Sequence, residues 1–459
     1  MDKDYLKTEK VSKLFFKLAI PSILAQLINV LYNMVDRMFI GHIKDVGNDA
    51  LTGVGVCLPI ILFISAFASL AAMGGAPKAA IKMGEKDIDG ANKILGNCFS
   101  LTIILAIILT IVLLIFNKPL LLAFGASDKT IIYASEYMNI YCLGTIFVMI
   151  SLGLNAFITT QGFSKIAMRN VMIGAILNVI LDPVFIVLLD LGVKGAAIAT
   201  LISQAISSIF VLKFLFSSKS KLKITKYNLK LDFKVILPCI ALGLSPFIMQ
   251  STESILSICF NTSLLKYGGD IAVGSMTICT SIMQLVLMPL QGFTQGAQPI
   301  ISYNFGAKQA SRVKSAFKIL LFTCLIYSFV FTSMVLIFPH TFAQLFTDKV
   351  ELIEYSSWAF RIYGCALPFF GIQMACQQTF VSLGNAPISL FLALLRKVIL
   401  LIPLIYIVPM FTNDKCFGVF LAEPIADSIA IISTLITFIF VFKKTIKKIS
   451  EDNLNQCIN

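Results

Sequence analysis

Long apolar segments alternate with short polar segments along the whole chain. Windows long enough to cross a bilayer core, about 20 residues each, fall near 14–40, 51–76, 94–116, 131–158, 170–189, 195–216, 235–262, 271–301, 316–338, 351–380, 396–411 and 416–442. The eleventh window is short, so we expect Arg396 and Lys397 at its mouth, where long basic side chains reach the membrane interface. The pattern predicts an all-α integral membrane protein with twelve transmembrane helices.

Composition and charge support this prediction and indicate how the protein is oriented in the membrane. The chain is 58% hydrophobic and only 13% charged, against about 25% charged residues in soluble domains. With the N-terminus in the cytoplasm, 28 of the 37 Lys and Arg residues fall in cytoplasmic segments and seven in outer loops. Because basic residues are enriched on the cytoplasmic side, we expect a multi-pass protein of the cell inner (cytoplasmic) membrane with both termini cytoplasmic. The net charge of +13 then reflects topology and contact with anionic membrane lipids, and no nucleic acid is expected as a partner.

The two halves of the chain are related in sequence. At an offset of 222, eighteen of the 89 positions from 74 to 162 are identical, where roughly a tenth would match by chance. The matches include Gly74/Gly296, Pro77/Pro299, Lys86/Lys308 and Gly162/Gly384, among which the shared Gly and Pro residues lie at loop corners. Six spans per half keep both halves in the same sense, which predicts two six-helix bundles related by a pseudo-two-fold axis. We expect the bundles at 1–216 and 235–442, a cytoplasmic basic linker at 217–234 and a cytoplasmic tail at 443–459.

One acid lies deep in an apolar window. Asn178 and Asp182 are four residues apart and share a helix face, and Pro183 follows directly. An acid at the centre of a membrane helix costs roughly 2.5–3.5 kcal/mol, so it is found facing a protein cavity. Pro183 removes a backbone donor and frees a carbonyl beside the acid. The oxygens so grouped could hold Na⁺ or a proton, and the alternative is a structural hydrogen bond to a neighbouring helix.

Two further spans carry polar residues in a pattern. A stripe runs down one face of the first span at Gln26, Asn29, Asn33 and Asp36. At an offset of 224 it recurs in the seventh span as Gln250, Glu253 and Ser257, whereas Phe260 replaces the acid. In the sixth span the small residue Ala196 shares a face with Thr200, which favours close helix approach.

The second half differs from the first at the central acid. The counterparts of Asn178 and Asp182 at offset 222 are leucines, and Thr200 aligns with Glu423 at offset 223. Glu423 and Asp427 lie one helical turn apart on the last span. A transport role, a structural role and pairing with Arg361 are all open for these two acids.

These residues resemble the multidrug and toxic compound extrusion (MATE) family, in particular its MepA-like bacterial branch. The resemblance extends from Ala19-Ile20-Pro21 to the segment Leu421-Ala422-Glu423-Pro424. It is closest in the first half, where four residues match the spacing of the coupling-cation site, which implies a site for H⁺ or Na⁺ at Asp36, Asn178, Asp182 and Thr200. The same resemblance implies that the Ala196 carbonyl and Tyr137 complete this site. Glu253 resembles a seventh-span acid used in coupling by sodium-driven members.

The resemblance implies a function as well. It implies an antiporter that exports small amphipathic, often cationic, organic compounds by alternating access and so confers drug resistance. The cavity would be lined by the polar stripes, namely Gln26, Asn29, Asn33, Gln250, Glu253 and Ser257. We expect a monomer without a cofactor other than the coupling ion.

Two other functions make different demands on the sequence. A lipid-linked saccharide flippase would have a similar architecture, but such proteins present a cationic cavity, whereas the polar candidates here are acids and amides. An integral membrane enzyme would need a nucleophile with a base, or a metal site. The two histidines, His42 and His340, fall in outer loops, and the chain contains neither His-Glu-x-x-His nor Gly-x-Ser-x-Gly. We therefore expect a transporter and not an enzyme.

Overall fold

A computed structural model describes residues 5–43 and 46–458, with side chains through Glu451. Lys44, which belongs to the predicted first outer loop, lies outside the described residues. The helices of the first half are α1 (Tyr5–Thr8), α2 (Val11–Gly41), α3 (Gly47–Gly84), α4 (Ile88–Ala123), α5 (Ile131–Leu143), α6 (Thr145–Thr160), α7 (Ser164–Pro183) and α8 (Gly192–Leu215). Those of the second half are α9 (Phe233–Gly306), α10 (Ala310–Ile337), α11 (Pro339–Ala343), α12 (Val350–Tyr363), α13 (Phe370–Ser382), α14 (Ala386–Leu394), α15 (Ile402–Phe411) and α16 (Lys415–Ile458).

The helices account for twelve membrane spans. Within the described residues, nine helical segments are long and apolar enough to cross a membrane, and two bent helix pairs bring the number to eleven. The 74-residue α9 is interrupted at Gly269, whose φ of 65° and ψ of −160° are not helical. Gly269 falls between the seventh and eighth predicted spans, so α9 contributes both of them. The all-α, twelve-span prediction is confirmed.

The residue contacts divide the chain into two compact units. The N-terminal unit is Leu24–Gln250, and the C-terminal unit comprises the described residues through Ile23 together with those from Ser251 onward. In the N-terminal unit α3 packs against α4 and α6, and α7 packs against α8. In the C-terminal unit α15 packs against α16, and a cluster of aromatic rings forms part of the core around Phe380 and Phe438.

Local conformations repeat at the offset found in the sequence. Lys86 and Lys308 both have positive φ, of 65° and 54°, and Gly162 and Gly384 both do, at 91° and 73°. Each half also contains one bent helix pair, α5 with α6 at 58° and α12 with α13 at 51°. The described part of each half also has a π-helical turn, Val184–Leu188 and Leu395–Leu401, but these two turns do not lie at equivalent positions of the repeat. The sequence repeat is therefore a repeat of backbone conformation as well.

The prediction that Arg396 and Lys397 lie at the mouth of the eleventh span is wrong. Both residues lie inside the continuous segment Ala386–Phe411, in the π-helical turn, and both are only 3% exposed. Burial is tolerated because carboxylates from other helices of the same unit pair with them. Removing the two residues from the cytoplasmic count leaves 26 Lys and Arg against seven in the outer loops, so the charge bias persists.

The basic segment 217–234 is tied to the N-terminal unit. The Gln161 side-chain oxygen accepts hydrogen bonds from the Lys221 and Leu222 amides at 2.7 and 3.0 Å. Asn97 on α4 accepts from the Asp232 amide at 2.7 Å, and Lys93 forms an ion pair with Asp232. The hydrogen bond from Lys93 holds the pKa of the Asp232 carboxyl below its ordinary value.

Candidate cation and substrate site

The central acid lies where α7 changes its helical pitch. Pro183 ends α7, and the chain continues through the π-helical turn Val184–Leu188, as expected where a proline removes a helix hydrogen bond. A Cβ placed on Gly195 would lie 2.6 Å from the Phe185 carbonyl oxygen. Glycine at this position therefore lets α8 approach the turn closely and brings Thr200 toward α7.

Asn178 joins the central acid to α8. Its amide nitrogen lies 3.1 Å from Asp182 Oδ1 and 3.4 Å from Thr200 Oγ1. Asn178 and Asp182 are 2% and 0% exposed, so these bonds lie within the protein. The structure thus places together three of the residues that the sequence analysis grouped into a cation site.

The remaining members of the predicted group lie around these three. Asp36 on α2 is buried and interacts electrostatically with both Asp182 and Tyr137. Tyr137 on α5 is buried and hydrogen-bonds with Thr200. Ala196 is fully buried, one turn before Thr200 on α8. Four helices of the N-terminal unit therefore contribute to one polar cluster, which we call the Asp182 cluster: Asp36, Tyr137, Asn178, Asp182, Ala196 and Thr200.

The Asp182 cluster contains unsatisfied oxygen atoms. Asp36 Oδ1, Asn178 Oδ1 and Asp182 Oδ2 are buried and accept no hydrogen bond from any described residue. Buried acceptors without a donor are costly, and carboxylate and amide oxygens are the ligands that hard cations prefer. Two acids and an amide also fit a monovalent cation or a proton better than a transition metal. In the described part of the chain no group of three or more His, Cys, Asp or Glu residues is arranged to hold a metal ion.

The predicted polar stripes are placed in both units. On α2 of the N-terminal unit, Gln26 and Asn29 are half-buried, while Asn33 is exposed and donates to the Asn29 carbonyl oxygen at 2.6 Å. Gln250 belongs to the same unit and donates to Ser69 at 3.0 Å. Glu253 and Ser257 belong to the C-terminal unit, and both are exposed.

The C-terminal unit contains a buried ionic cluster that the sequence analysis did not predict. Arg396 donates through Nε to Asp427 at 2.6 Å and through Nη2 to Glu423 at 3.3 Å. Its guanidinium also lies 4.5 Å from the centre of the Phe370 ring. Glu423 and Asp427 therefore pair with Arg396, while Arg361, the partner considered from sequence, is exposed.

Glu253 is paired as well. Lys397 Nζ lies 2.8 Å from Glu253 Oε1, so the seventh-span acid has an internal counterion. The ionic cluster thus consists of three acids and two bases: Glu253, Glu423, Asp427, Arg396 and Lys397. A signal for it was present in the sequence, because two bases at the edge of a short apolar window match two acids one turn apart on the last span.

Comparisons with known proteins agree with this architecture. The family model MatE matches residues 21–184 and 246–407. The multidrug export protein MepA of Staphylococcus haemolyticus is 23% identical over 438 residues, which is 95% of this chain and 94% of that protein. MepA of Staphylococcus aureus is 23% identical over 403 residues, covering 88% of each chain. A crystal structure of MATE in the bent conformation matches with a TM-score of 0.91 at 23% identity, covering 98% of this chain and 99% of that one. The family match spans most of both halves, and the chain therefore belongs to the MatE family.

Proposed function

We propose that this protein exports amphipathic, often cationic, organic compounds in exchange for H⁺ or Na⁺. The observation that carries the proposal is the set of three buried, unpartnered oxygens on Asp36, Asn178 and Asp182. A cation bound there would satisfy all three, and two nearby carboxylates favour uptake of positive charge. The Staphylococcus relatives, which bear the name multidrug export protein, support the choice of substrate class.

Cation binding is coupled to export if the cation and the exported compound prefer different conformations of the protein. In our proposal the protein works by alternating access, in which the two bundles rock, and cation uptake by Asp36 and Asp182 favours the state that releases the drug outward. Thr200 and Asn178 hold the cation beside the acids, and Tyr137 and the Ala196 carbonyl complete its shell. A ligand that bound both states equally could not drive the change.

We further propose that the protein lies in the cytoplasmic membrane with both termini inside the cell and that it acts as a monomer. The proposed orientation rests on the bias of 26 basic residues against seven in alternate loops. On this topology the segment 217–234 is cytoplasmic. The coupling ion binds the Asp182 cluster within the membrane-embedded part of the N-terminal unit.

The buried bases bear on the alternative that the protein is a lipid-linked saccharide flippase. Arg396 and Lys397 are cations inside a span, the kind of residue that could receive a pyrophosphate group. Both are paired with carboxylates, however, and the ionic cluster of three acids and two bases carries a formal charge of −1. An anionic headgroup would be repelled by that charge, which favours the export of cations.

The proposal is tested by accumulation of ethidium, a fluorescent organic cation, in inside-out vesicles. A pH gradient and a Na⁺ gradient are imposed separately on vesicles that contain the wild type or Asp36→Asn. We expect accumulation under one gradient, which identifies the coupling ion, and its loss in the variant. Absence of accumulation under either gradient, with folded protein verified, would favour a lipid-linked substrate instead.

A further inference from the structure

The two side chains of the Lys397–Glu253 ion pair differ in their exposure. The Lys397 side chain is 4% exposed, whereas the Glu253 side chain is 55% exposed. The ammonium group therefore approaches the carboxylate from inside the protein. Because about half of the Glu253 side chain is left uncovered, a second positively charged group can approach the acid.

Arg396, the base next to Lys397 in the chain, is held by more partners. Arg396 contacts two carboxylates and the face of the Phe370 ring, and both carboxylates are at least 97% buried. A planar guanidinium held by several partners has little freedom to move. Lys397 instead presents a compact charge on a flexible four-carbon stem, and the side chain of its ion-pair partner Glu253 is 55% exposed. Of the two bases, Lys397 is the one whose interaction a ligand can change.

The ionic cluster also has fewer positive than negative charges. Glu253, Glu423 and Asp427 carry three formal negative charges, and Arg396 and Lys397 carry two positive charges. Asp427 Oδ2 is buried and accepts no hydrogen bond from the described residues, so the negative charge is incompletely compensated. A monovalent cation that reached the exposed side of Glu253 would complete the balance.

We propose that Lys397 sets the charge selectivity of Glu253 toward organic cations. The tethered ammonium occupies the inner side of the carboxylate and so weakens its attraction for the ammonium group of a ligand. Lys397 is thereby a specificity-determining residue that limits how tightly a cationic compound is held. This inference deepens the proposed export function, because it concerns the substrate class of the same protein.

The test measures binding without any gradient. Purified protein in detergent is titrated with ethidium, a monovalent organic cation, and with Nile red, a neutral amphipathic dye, and fluorescence anisotropy reports the Kd. We expect Lys397→Met to tighten ethidium binding about tenfold, a reasonable effect for removal of one close competing charge, and to leave Nile red binding unchanged. Lys397→Arg keeps the charge and should bind like the wild type.

Two controls isolate the carboxylate. Lys194→Met removes a lysine that is also ion-paired, with Glu136 at 3.1 Å, but lies in the N-terminal unit, and it should leave both affinities unchanged. The double variant Glu253→Gln/Lys397→Met should lose the gain in ethidium affinity. Should Lys397→Met not fold, Lys397→Gln is measured in its place with the same expectations.

The outcomes separate this inference from the export function. An unchanged ethidium Kd, an equal change for Nile red, a gain that persists in the double variant, or no ethidium binding by any protein would overturn the role of Lys397. A selective gain in binding supports that role even if wild-type vesicles fail to accumulate ethidium, a result that would overturn only the export function.

Discussion

Asn178 donates its side-chain amide to Thr200 on the neighbouring helix, and Arg396 donates in the same way to Glu423 in the other half of the chain. Thr200 and Glu423 are related by the repeat offset of 223. Each half thus joins its fifth and sixth spans through a buried polar side chain. In the first half the acid Asp182 accepts a hydrogen bond from the neutral amide of Asn178, whereas in the second half internal bases pair with the acids.

Asp182→Asn should abolish gradient-driven efflux and leave the protein folded. Asparagine retains an oxygen that can accept the Asn178 hydrogen bond, so the packing is preserved while the negative charge is removed. Vesicle accumulation of ethidium and thermal unfolding in detergent measure the two effects. Asp190→Asn is the matched control, because Asp190 is exposed, lies just beyond the same helix and has a φ of 49°, which asparagine tolerates. Normal efflux by Asp182→Asn would contradict the assignment.

Thr200→Val should weaken coupling-ion affinity, because valine keeps the shape but removes the hydroxyl that Asn178 and Tyr137 contact. One lost hydrogen bond of about 1 kcal/mol corresponds to an ion concentration for half-maximal transport that is about fivefold higher. Thr200→Ser retains the hydroxyl and should stay close to the wild type. An equal effect of both substitutions would assign the loss to packing.

Arg396→Gln should destabilise the C-terminal unit, since it leaves Glu423 and Asp427 buried without a counterion. Breaking a buried ion pair in this way costs about 3–5 kcal/mol, which would appear as a large fall in the unfolding temperature in detergent. Arg361→Gln removes an exposed arginine and should have little effect. Neutralising the two acids as well, in Arg396→Gln/Glu423→Gln/Asp427→Asn, should restore part of the loss. Equal stability of Arg396→Gln and the wild type would contradict the ionic cluster.

Gly195→Ala should disturb the Asp182 cluster, because the added methyl group would meet the backbone of Phe185 and Ile186 at 2.6 to 2.9 Å. Overpacking of this kind costs about 1–3 kcal/mol, and the shift of α8 should also raise the ion concentration needed for transport. Gly55→Ala is the control, since no atom lies within 4 Å of a Cβ at Gly55. Equal stability and equal ion dependence of the two variants would contradict the close approach of α8 to the Phe185 backbone.

Gln161→Leu should release the segment 217–234 from the N-terminal unit. The substitution removes the oxygen that accepts from the Lys221 and Leu222 amides, and an unsatisfied buried amide costs about 1–3 kcal/mol. Limited trypsin digestion should then cleave faster at Lys221 and Lys223. Gln344→Leu, at an exposed position in the C-terminal unit, should leave the cleavage rate unchanged. Equal cleavage rates in both variants would show that other contacts hold the segment.

The sequence by itself determined the twelve spans, the repeat and the shared helix face of Asn178 and Asp182. Apolar windows of spanning length have few alternatives to helices in a membrane, because every backbone polar group must be satisfied internally. Asn178 and Asp182 share a helix face whatever surrounds them. Their grouping with Asp36, Thr200 and Tyr137 came from the family resemblance.

Only the tertiary structure decided which charged residues of the second half are buried and with which groups they pair. Arg396 and Lys397 begin a short apolar window, and hydropathy alone places such bases at the interface. Their burial depends on three acids from α9 and α16, the most distant 144 residues away along the chain, and on a π-helical turn that no local pattern indicated. The energy of a buried charge is set by its partners, and those partners are brought together only when the helices pack.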